Sequence, residues 1–95
     1  MKIINVALQI IPLSSDRSYN IIDKAIEFIK STGIKHLVCP FETVLEGDYD
    51  TIFEIIKKTQ EICFENGADE LIVNIKIQNH KLNDTLIEQK IGKYS

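Results

Sequence analysis

The sequence predicts an α+β domain in which a four-stranded antiparallel sheet carries two helices on one face. Several stretches alternate apolar and polar side chains, which is the period of a β-strand. Two others repeat apolar residues at the spacing of an amphipathic helix. Each helical stretch is followed by a glycine, Gly33 or Gly67, where the left-handed backbone that often ends a helix is favourable. A chain of 95 residues is short enough for us to expect one domain spanning residues 1–95.

The first half of the chain predicts a strand, a helix and two short strands. Residues 2–11 alternate, and we expect Pro12 to end this strand. Leu13–Arg17 is a predicted polar turn, and the helix after it continues to Lys30. Two short strands follow, His36–Cys39 before Pro40 and Thr43–Glu46 before Gly47.

The second half predicts a helix, a long strand and a terminal helix. Asp48 is a good N-cap for the helix that ends near Gly67. Glu70–Gln78 alternates as a strand, Asn79–Asp84 is a polar loop, and Thr85–Tyr94 can form a short helix. The order β-α-β-β-α-β is that of the ferredoxin-like fold. Right-handed crossovers then place the first strand between the third and the fourth, with the second beside the third.

The sheet face opposite the helices is expected to be uncovered. Its predicted side chains on the first and fourth strands are neither fully polar nor fully apolar: Asn5, Ala7, Gln9, Ile72, Asn74, Lys76 and Gln78. Such a face is typical of a surface that another subunit or a ligand covers. The fourth strand is also a long edge with little charge, so pairing with a second copy is expected.

Composition excludes several classes of function. A net charge of −3 with scattered Lys and Arg argues against nucleic-acid binding. The apolar N-terminal stretch is too short and too polar to span a membrane and lacks the small-residue cleavage site of a signal peptide, so we expect a cytoplasmic protein. Cys39 and Cys63 are expected to be reduced, packed thiols. Neither they nor His36 and His80 have metal-ligand spacing, so no metal or cofactor is predicted.

The segment Thr43–Asp50 is the strongest candidate for a site. It places Glu46 at the end of a strand, where a carboxylate beside apolar residues needs a partner. Asp48 and Asp50, which follow Glu46, also suit the start of a helix, because the helix dipole favours negative charge there. No glycine-rich phosphate loop, Cys-His or Ser-His arrangement supports catalysis.

A series of motifs along nearly the whole chain resembles the small, single-domain YkoF-like thiamine-binding proteins. In order, these motifs are Pro12-Leu13, Ser18-Tyr19, Ser31 to Lys35, Pro40, Thr43 to Asp48, Phe64 to Ala68, and Ile75 to Ile77. The chain departs from the family pattern at Ser14, where the family usually has Gly, and at Gln78–His80, where it often has an Asp-x-Arg sequence.

The resemblance implies non-catalytic binding of thiamine or its hydroxymethylpyrimidine part by a homotetramer that stacks its open faces. Glu46 could accept from the ligand's amine, and Tyr19 could supply a stacking face. The predicted ligand-binding residues are Thr43, Glu46, Asn74, Gln9, Asn5, Ser14 and Tyr19. One alternative is a regulatory or interaction module whose open face binds a protein or another metabolite, such as an amino acid. The other is an enzyme of the same fold.

Overall fold

A computed structural model describes residues 2–13 and 18–92. Its strands and helices are β1 (Ile3–Leu13), α1 (Ser18–Ser31), β2 (Lys35–Val38), β3 (Thr43–Asp48), α2 (Tyr49–Glu65), β4 (Glu70–Gln78) and α3 (Ile87–Ile91). The four strands form one sheet in the order β2-β3-β1-β4, and every neighbouring pair is antiparallel. The predicted ferredoxin-like α+β fold and its strand order are confirmed.

The core lies between the sheet and the two long helices. Ile4, Val6 and Leu8 alternate along β1 and are almost fully buried, and Leu45 is the cross-strand partner of Val6. Ile52 of α2 is buried in the same cluster. The period of two in β1 therefore puts one set of side chains on the helix-covered face and the other set on the opposite face.

The predicted helix ends are confirmed in detail. The Asp48 carboxylate accepts the backbone N–H of Thr51 at 3.1 Å, which makes Asp48 the N-cap of α2. Gly33 and Gly67 follow α1 and α2 with φ of +76° and +106°. A residue with a Cβ adopts that left-handed conformation only with strain, so glycine suits both positions.

β1 does not end before Pro12, as the sequence predicted, but continues to Leu13. Pairing of β1 with β3 ends at Leu8, whereas pairing with β4 continues to Leu13. Beyond Leu8, none of the described strands therefore pairs with this side of β1. A proline fits there because the N–H that it lacks need not bond to a second strand.

Two further strand boundaries were also misplaced by the sequence. β2 covers Lys35–Val38, one residue earlier than predicted, and β3 runs through Gly47 to Asp48. Gly47 is paired with Ile4, and a Cβ added to it would lie 3.3 Å from Cδ1 of Ile34. This glycine therefore allows close packing within a strand and does not stop it.

The terminal helix spans Ile87–Ile91 and so begins two residues later than the predicted Thr85; its predicted end at Tyr94 lies outside the described part of the chain. The three residues before it run along β1. The Thr85 N–H donates to the Ile3 carbonyl at 2.9 Å, and Ile3 donates to the Asp84 carboxylate at 2.8 Å. We call residues 84–91 the C-terminal strap. The strap covers one end of the face that was expected to be open.

None of the helices in residues 2–13 and 18–92 is long and apolar enough to cross a membrane.

Candidate ligand-binding sites

The sheet divides the predicted ligand-binding residues between its two faces. Thr43 pairs with Leu8 and so belongs to the helix-covered face. Tyr19 lies in the first turn of α1. The opposite face carries Asn5, Gln9, Glu46 and Asn74. Ser14 lies outside the described residues. The structure therefore divides the predicted residues between the two faces, although Gln9 also borders a cavity that Thr43 lines.

The helix-covered face contains a cavity of about 120 Å³, which we call the helix-side cavity. It lies between α1, the sheet and the loop that joins β2 to β3. That loop is closed by a hydrogen bond from the Cys39 N–H to the Glu42 carbonyl, at 2.8 Å. The cavity wall is mainly apolar and includes Leu8, Ile10, Ile22, Ile26 and Val38, together with Cys39, Phe41 and Thr43.

Two exposed aromatic side chains lie near this cavity. Phe41 is part of its wall and is 81% exposed, so the ring is not a core residue. Tyr19 is 86% exposed and precedes Ile22 and Ile26 by three and seven residues, which places it on the same side of α1. Both rings are free of the core and available to stack on a ligand outside the cavity.

Glu46 is buried on the opposite face, and its carboxylate has partners within the chain. Oε1 accepts the backbone N–H of Ile87 at 2.5 Å and lies 3.5 Å from Nδ2 of Asn5. Oε2 lies 3.4 Å from the Lys35 ammonium, which also approaches Glu88 at 3.7 Å. The carboxylate thus accepts a backbone N–H at the start of α3 and holds the C-terminal strap against the sheet.

Beside the strap, the same face has a second cavity, of about 260 Å³, which we call the open-face cavity. Its charged side chains form contacts within the chain. The Lys76 ammonium lies 3.4 Å from the Glu42 carboxylate, and Lys90 donates to Gln78 at 2.7 Å. Lys76 therefore has an ion-pair partner in its own chain.

Gln9 and Asn74 lie further along this face and bond to each other. Nδ2 of Asn74 donates to Oε1 of Gln9 at 3.1 Å, across paired positions of β1 and β4. Both amides remain at the surface, so each keeps polar groups that a ligand or a neighbouring subunit could use.

The two cysteines differ, contrary to the expectation that both are packed thiols. Cys63 is fully buried under α1, and burial raises the pKa of its thiol. Cys39 is partly exposed and lies in the wall of the helix-side cavity. Among the described residues, no group of three or more His, Cys, Asp or Glu side chains is arranged to hold a metal ion.

A family described as "Thiamine-binding protein" has a sequence model that matches residues 6–95. The chain belongs to this family. A UPF0045 protein of Clostridium perfringens is 48% identical over 91 residues, which cover 95% of each chain. A UPF0045 protein of Methanocaldococcus jannaschii is 33% identical over 88% of this chain and 84% of its own. The predicted family resemblance is thereby confirmed.

Solved structures of similar proteins have the same fold. A domain of unknown function from Bacillus cereus superposes with a TM-score of 0.91 and 31% identity, over 99% of this chain and 91% of its own. A Thermotoga maritima protein, provisionally assigned to thiamine biosynthesis or salvage, superposes with a TM-score of 0.87 and 31% identity. The superposition covers 98% of this chain and 99% of the other. The whole described architecture is therefore shared with these proteins.

Sequence reasoning missed several residues of the two cavities. The helical spacing that predicted α1 gave Ile22 and Ile26 no role in a site, and Cys39 was expected to be a packed thiol. Ala7 was placed on the open face without a role, and Lys90 was placed only in the predicted terminal helix. Ala7 could have been identified as a cavity residue because it is a small residue among larger ones on the predicted open face. No local pattern indicates that a side chain of the terminal helix reaches the sheet.

Proposed function

We propose that this protein binds thiamine or its hydroxymethylpyrimidine part without transforming it, and that the helix-side cavity receives the pyrimidine ring. The supporting observation is a mainly apolar cavity beside a buried threonine, in a chain that belongs to a thiamine-binding family. A flat aminopyrimidine needs apolar walls and a few polar partners. Thr43 offers a hydroxyl that can both donate and accept.

The size of the cavity favours partial insertion of the ligand. Sites for drug-sized molecules usually measure about 300–1,000 Å³, whereas the helix-side cavity measures about 120 Å³. One ring therefore fits inside, and the remainder of thiamine would lie outside. Phe41 and Tyr19, both exposed, are available there to stack on the thiazolium as a cation on an aromatic face.

The protein is also proposed to be a cytoplasmic homo-oligomer, with a tetramer as the expected assembly. β4 is an edge strand, and three of its isoleucines, Ile72, Ile75 and Ile77, are 45%, 37% and 44% exposed. A long apolar edge with little charge favours pairing with another copy. Light scattering coupled to size exclusion should give a mass above 10.9 kDa. An Ile77→Lys variant should lower the measured mass. A wild-type protein that is a monomer at a concentration of about 10 μM, in the range of moderate dissociation constants, would contradict the proposal.

Isothermal titration with thiamine and with hydroxymethylpyrimidine tests the binding function. Micromolar affinity requires about 8 kcal/mol, of which one neutral hydrogen bond supplies about 0.5–1.5 kcal/mol. A Thr43→Val variant keeps the shape and removes the hydroxyl. We expect its affinity to fall by about two- to twelvefold, the range that this hydrogen bond corresponds to.

Asn74→Ala is the matched control, because it removes a polar group from the other face of the sheet. Its affinity for thiamine should equal that of the wild type. Absence of heat with both ligands would refute the binding function. Weaker binding by Asn74→Ala, with Thr43→Val unchanged, would move the site to the open face.

A further inference from the structure

The last part of β1 has a backbone edge that no described strand covers. β1 pairs with β3 only as far as Leu8, which lies opposite Thr43, whereas its pairing with β4 continues to Leu13. The chain before Thr43 leaves β1, because the Glu42 carbonyl accepts the Cys39 N–H in the loop that joins β2 to β3. We call the β3 side of residues 9–13 the free edge of β1.

The hydrogen bonds of Ile3 show which residues of β1 direct their backbone groups to this edge. Ile3 donates its N–H to Asp84 and accepts the N–H of Thr85, so both of its groups face the side of β4 and the strap. In an antiparallel sheet both backbone groups of a residue point to the same neighbour, and successive residues alternate between the two neighbours. The register of β1 is continuous with both strands. Leu8 and Ile10 therefore face the β3 side.

Ile10 is consequently left with a backbone donor and acceptor at the free edge. In the described part of the chain, β3 pairs with no position beyond Leu8, and no backbone hydrogen bond from a loop reaches Ile10. The register would place Phe41 opposite Ile10, and both residues border the helix-side cavity. The cavity thus lies where the strand partner of Ile10 would be. Backbone groups away from bulk water normally have partners, so this position favours a ligand with a donor and an acceptor side by side.

We propose that the backbone of Ile10 recognises the amine edge of the pyrimidine ring, an inference that rests on the proposed binding of thiamine or hydroxymethylpyrimidine. The exocyclic amine donates to the Ile10 carbonyl, and the adjacent ring nitrogen accepts the Ile10 N–H. The ring thereby makes the two hydrogen bonds that a paired strand residue would make. Thr43, at the last paired position of β3, lies beside this position. The site therefore selects aminopyrimidines and rejects rings in which donor and acceptor are exchanged.

Calorimetric titration of thiamine and oxythiamine tests this selection. Oxythiamine has a carbonyl in place of the amine and a ring N–H in place of the accepting nitrogen, while its thiazolium is unchanged. Because two neutral hydrogen bonds are lost, we expect it to bind at least about tenfold more weakly than thiamine. Pyrithiamine replaces the thiazolium and keeps the amine edge, so its affinity should lie within about threefold of that of thiamine, less than one typical hydrogen bond supplies.

These titrations separate the inference from the binding function. Equal affinity for thiamine and oxythiamine would overturn the role of Ile10 and leave thiamine binding established. Absence of heat with both thiamine and hydroxymethylpyrimidine would overturn both proposals.

Amide hydrogen exchange, followed by NMR, examines the Ile10 N–H directly. In the free protein it should exchange faster than the N–H of Val6 or Leu8, which are paired with β3. Saturating thiamine should slow exchange at Ile10, and oxythiamine should not. The amides of Gln9 and Ile11 face β4 and report any general stabilisation, so Ile10 should be slowed more than either. Exchange at Ile10 that thiamine does not slow would overturn the inference.

Two variants at the same position complete the test. Ile10→Pro removes the N–H at the free edge without removing a bond to β4, and Pro12 already occupies an equivalent position of β1. Its affinity for thiamine should fall by at least about fivefold, the loss of one typical hydrogen bond. Ile10→Val keeps the backbone and is the matched control, with affinity within about threefold of the wild type. Wild-type affinity in Ile10→Pro would overturn the inference, and the exchange measurement decides it if that variant does not fold.

Discussion

Replacing Glu46 by alanine is expected to release the C-terminal strap and to lower the stability of the whole domain. Its Oε1 accepts the Ile87 N–H at 2.5 Å and faces Asn5 Nδ2 at 3.5 Å. Ile87 and Asn5 are 5% and 3% exposed. In the alanine variant both donors lose this acceptor in a place where water does not readily replace it.

The size of the effect follows from these contacts. A buried donor left unpaired costs about 1–3 kcal/mol. The Ile87 bond counts fully, whereas the Asn5 contact is at the limit of hydrogen-bond distance and counts in part. Lys35 is half exposed, so loss of its ion pair adds about 0–1 kcal/mol. The sum is about 2–4 kcal/mol. At about 4–8 °C per kcal/mol for a domain of this length, the melting temperature should fall by about 8–32 °C.

Thermal unfolding followed by circular dichroism measures this change, and amide hydrogen exchange at Ile87 shows whether the strap is the part released. Glu88→Ala is the matched control. Glu88 contacts the same Lys35 but is largely exposed, so its removal should change stability by less than about 1 kcal/mol. Two results would show that the carboxylate does not hold the strap. One is a melting temperature of Glu46→Ala within 2 °C of the wild type, about the shift that half a kcal/mol produces. The other is an Ile87 amide that stays protected from exchange in the variant.

Three other predictions follow from single side chains. A thiol reagent should modify Cys39 in the folded protein and Cys63 only after unfolding, because Cys63 is buried with a raised pKa; thiamine should slow the reaction at Cys39. Replacing the N-cap Asp48 by Ala should lower stability at neutral pH. The hydrogen bond from Thr51 lowers the pKa of Asp48, so its contribution is complete above about pH 3.9 and is lost as the pH falls through the lowered pKa. Urea titrations of the wild type and of Asp48→Ala should show a difference in unfolding free energy at neutral pH. That difference should vanish near pH 2, well below the usual carboxylate range. Leu45→Ala should cost about 2–5 kcal/mol in urea unfolding, since Leu45 is fully buried.

The fold could be predicted because local patterns and global packing agree. The alternation in β1 and β4 and the helical spacing in α1 and α2 each point to the observed element. The glycines after the two helices and Asp48 before α2 mark three of the four ends of those helices. Errors arose where a residue was interpreted without its neighbours. Pro12 was taken as a stop, although β1 has a free side at that point.

The strap could not be predicted, because what holds it lies far away in sequence. Thr85 bonds to Ile3, and Ile87 bonds to Glu46, across separations of 82 and 41 residues. Helical propensity alone favoured a helix from Thr85, but these contacts keep the first residues of the strap extended. The same contacts explain why Glu46, correctly expected to need a partner, finds it within the chain.

The segment Thr43–Asp48 shows how one short motif can serve both faces of the sheet. Successive residues of a strand point to opposite sides. Thr43 and Leu45 therefore face the helices, one at the helix-side cavity and one in the core, while Glu46 faces the strap. Asp48, two residues further on, begins α2. Inserting one residue before Glu46 would turn either Thr43 or Glu46 to the wrong face, so the spacing of the motif, as much as its composition, links the cavity, the core and the strap.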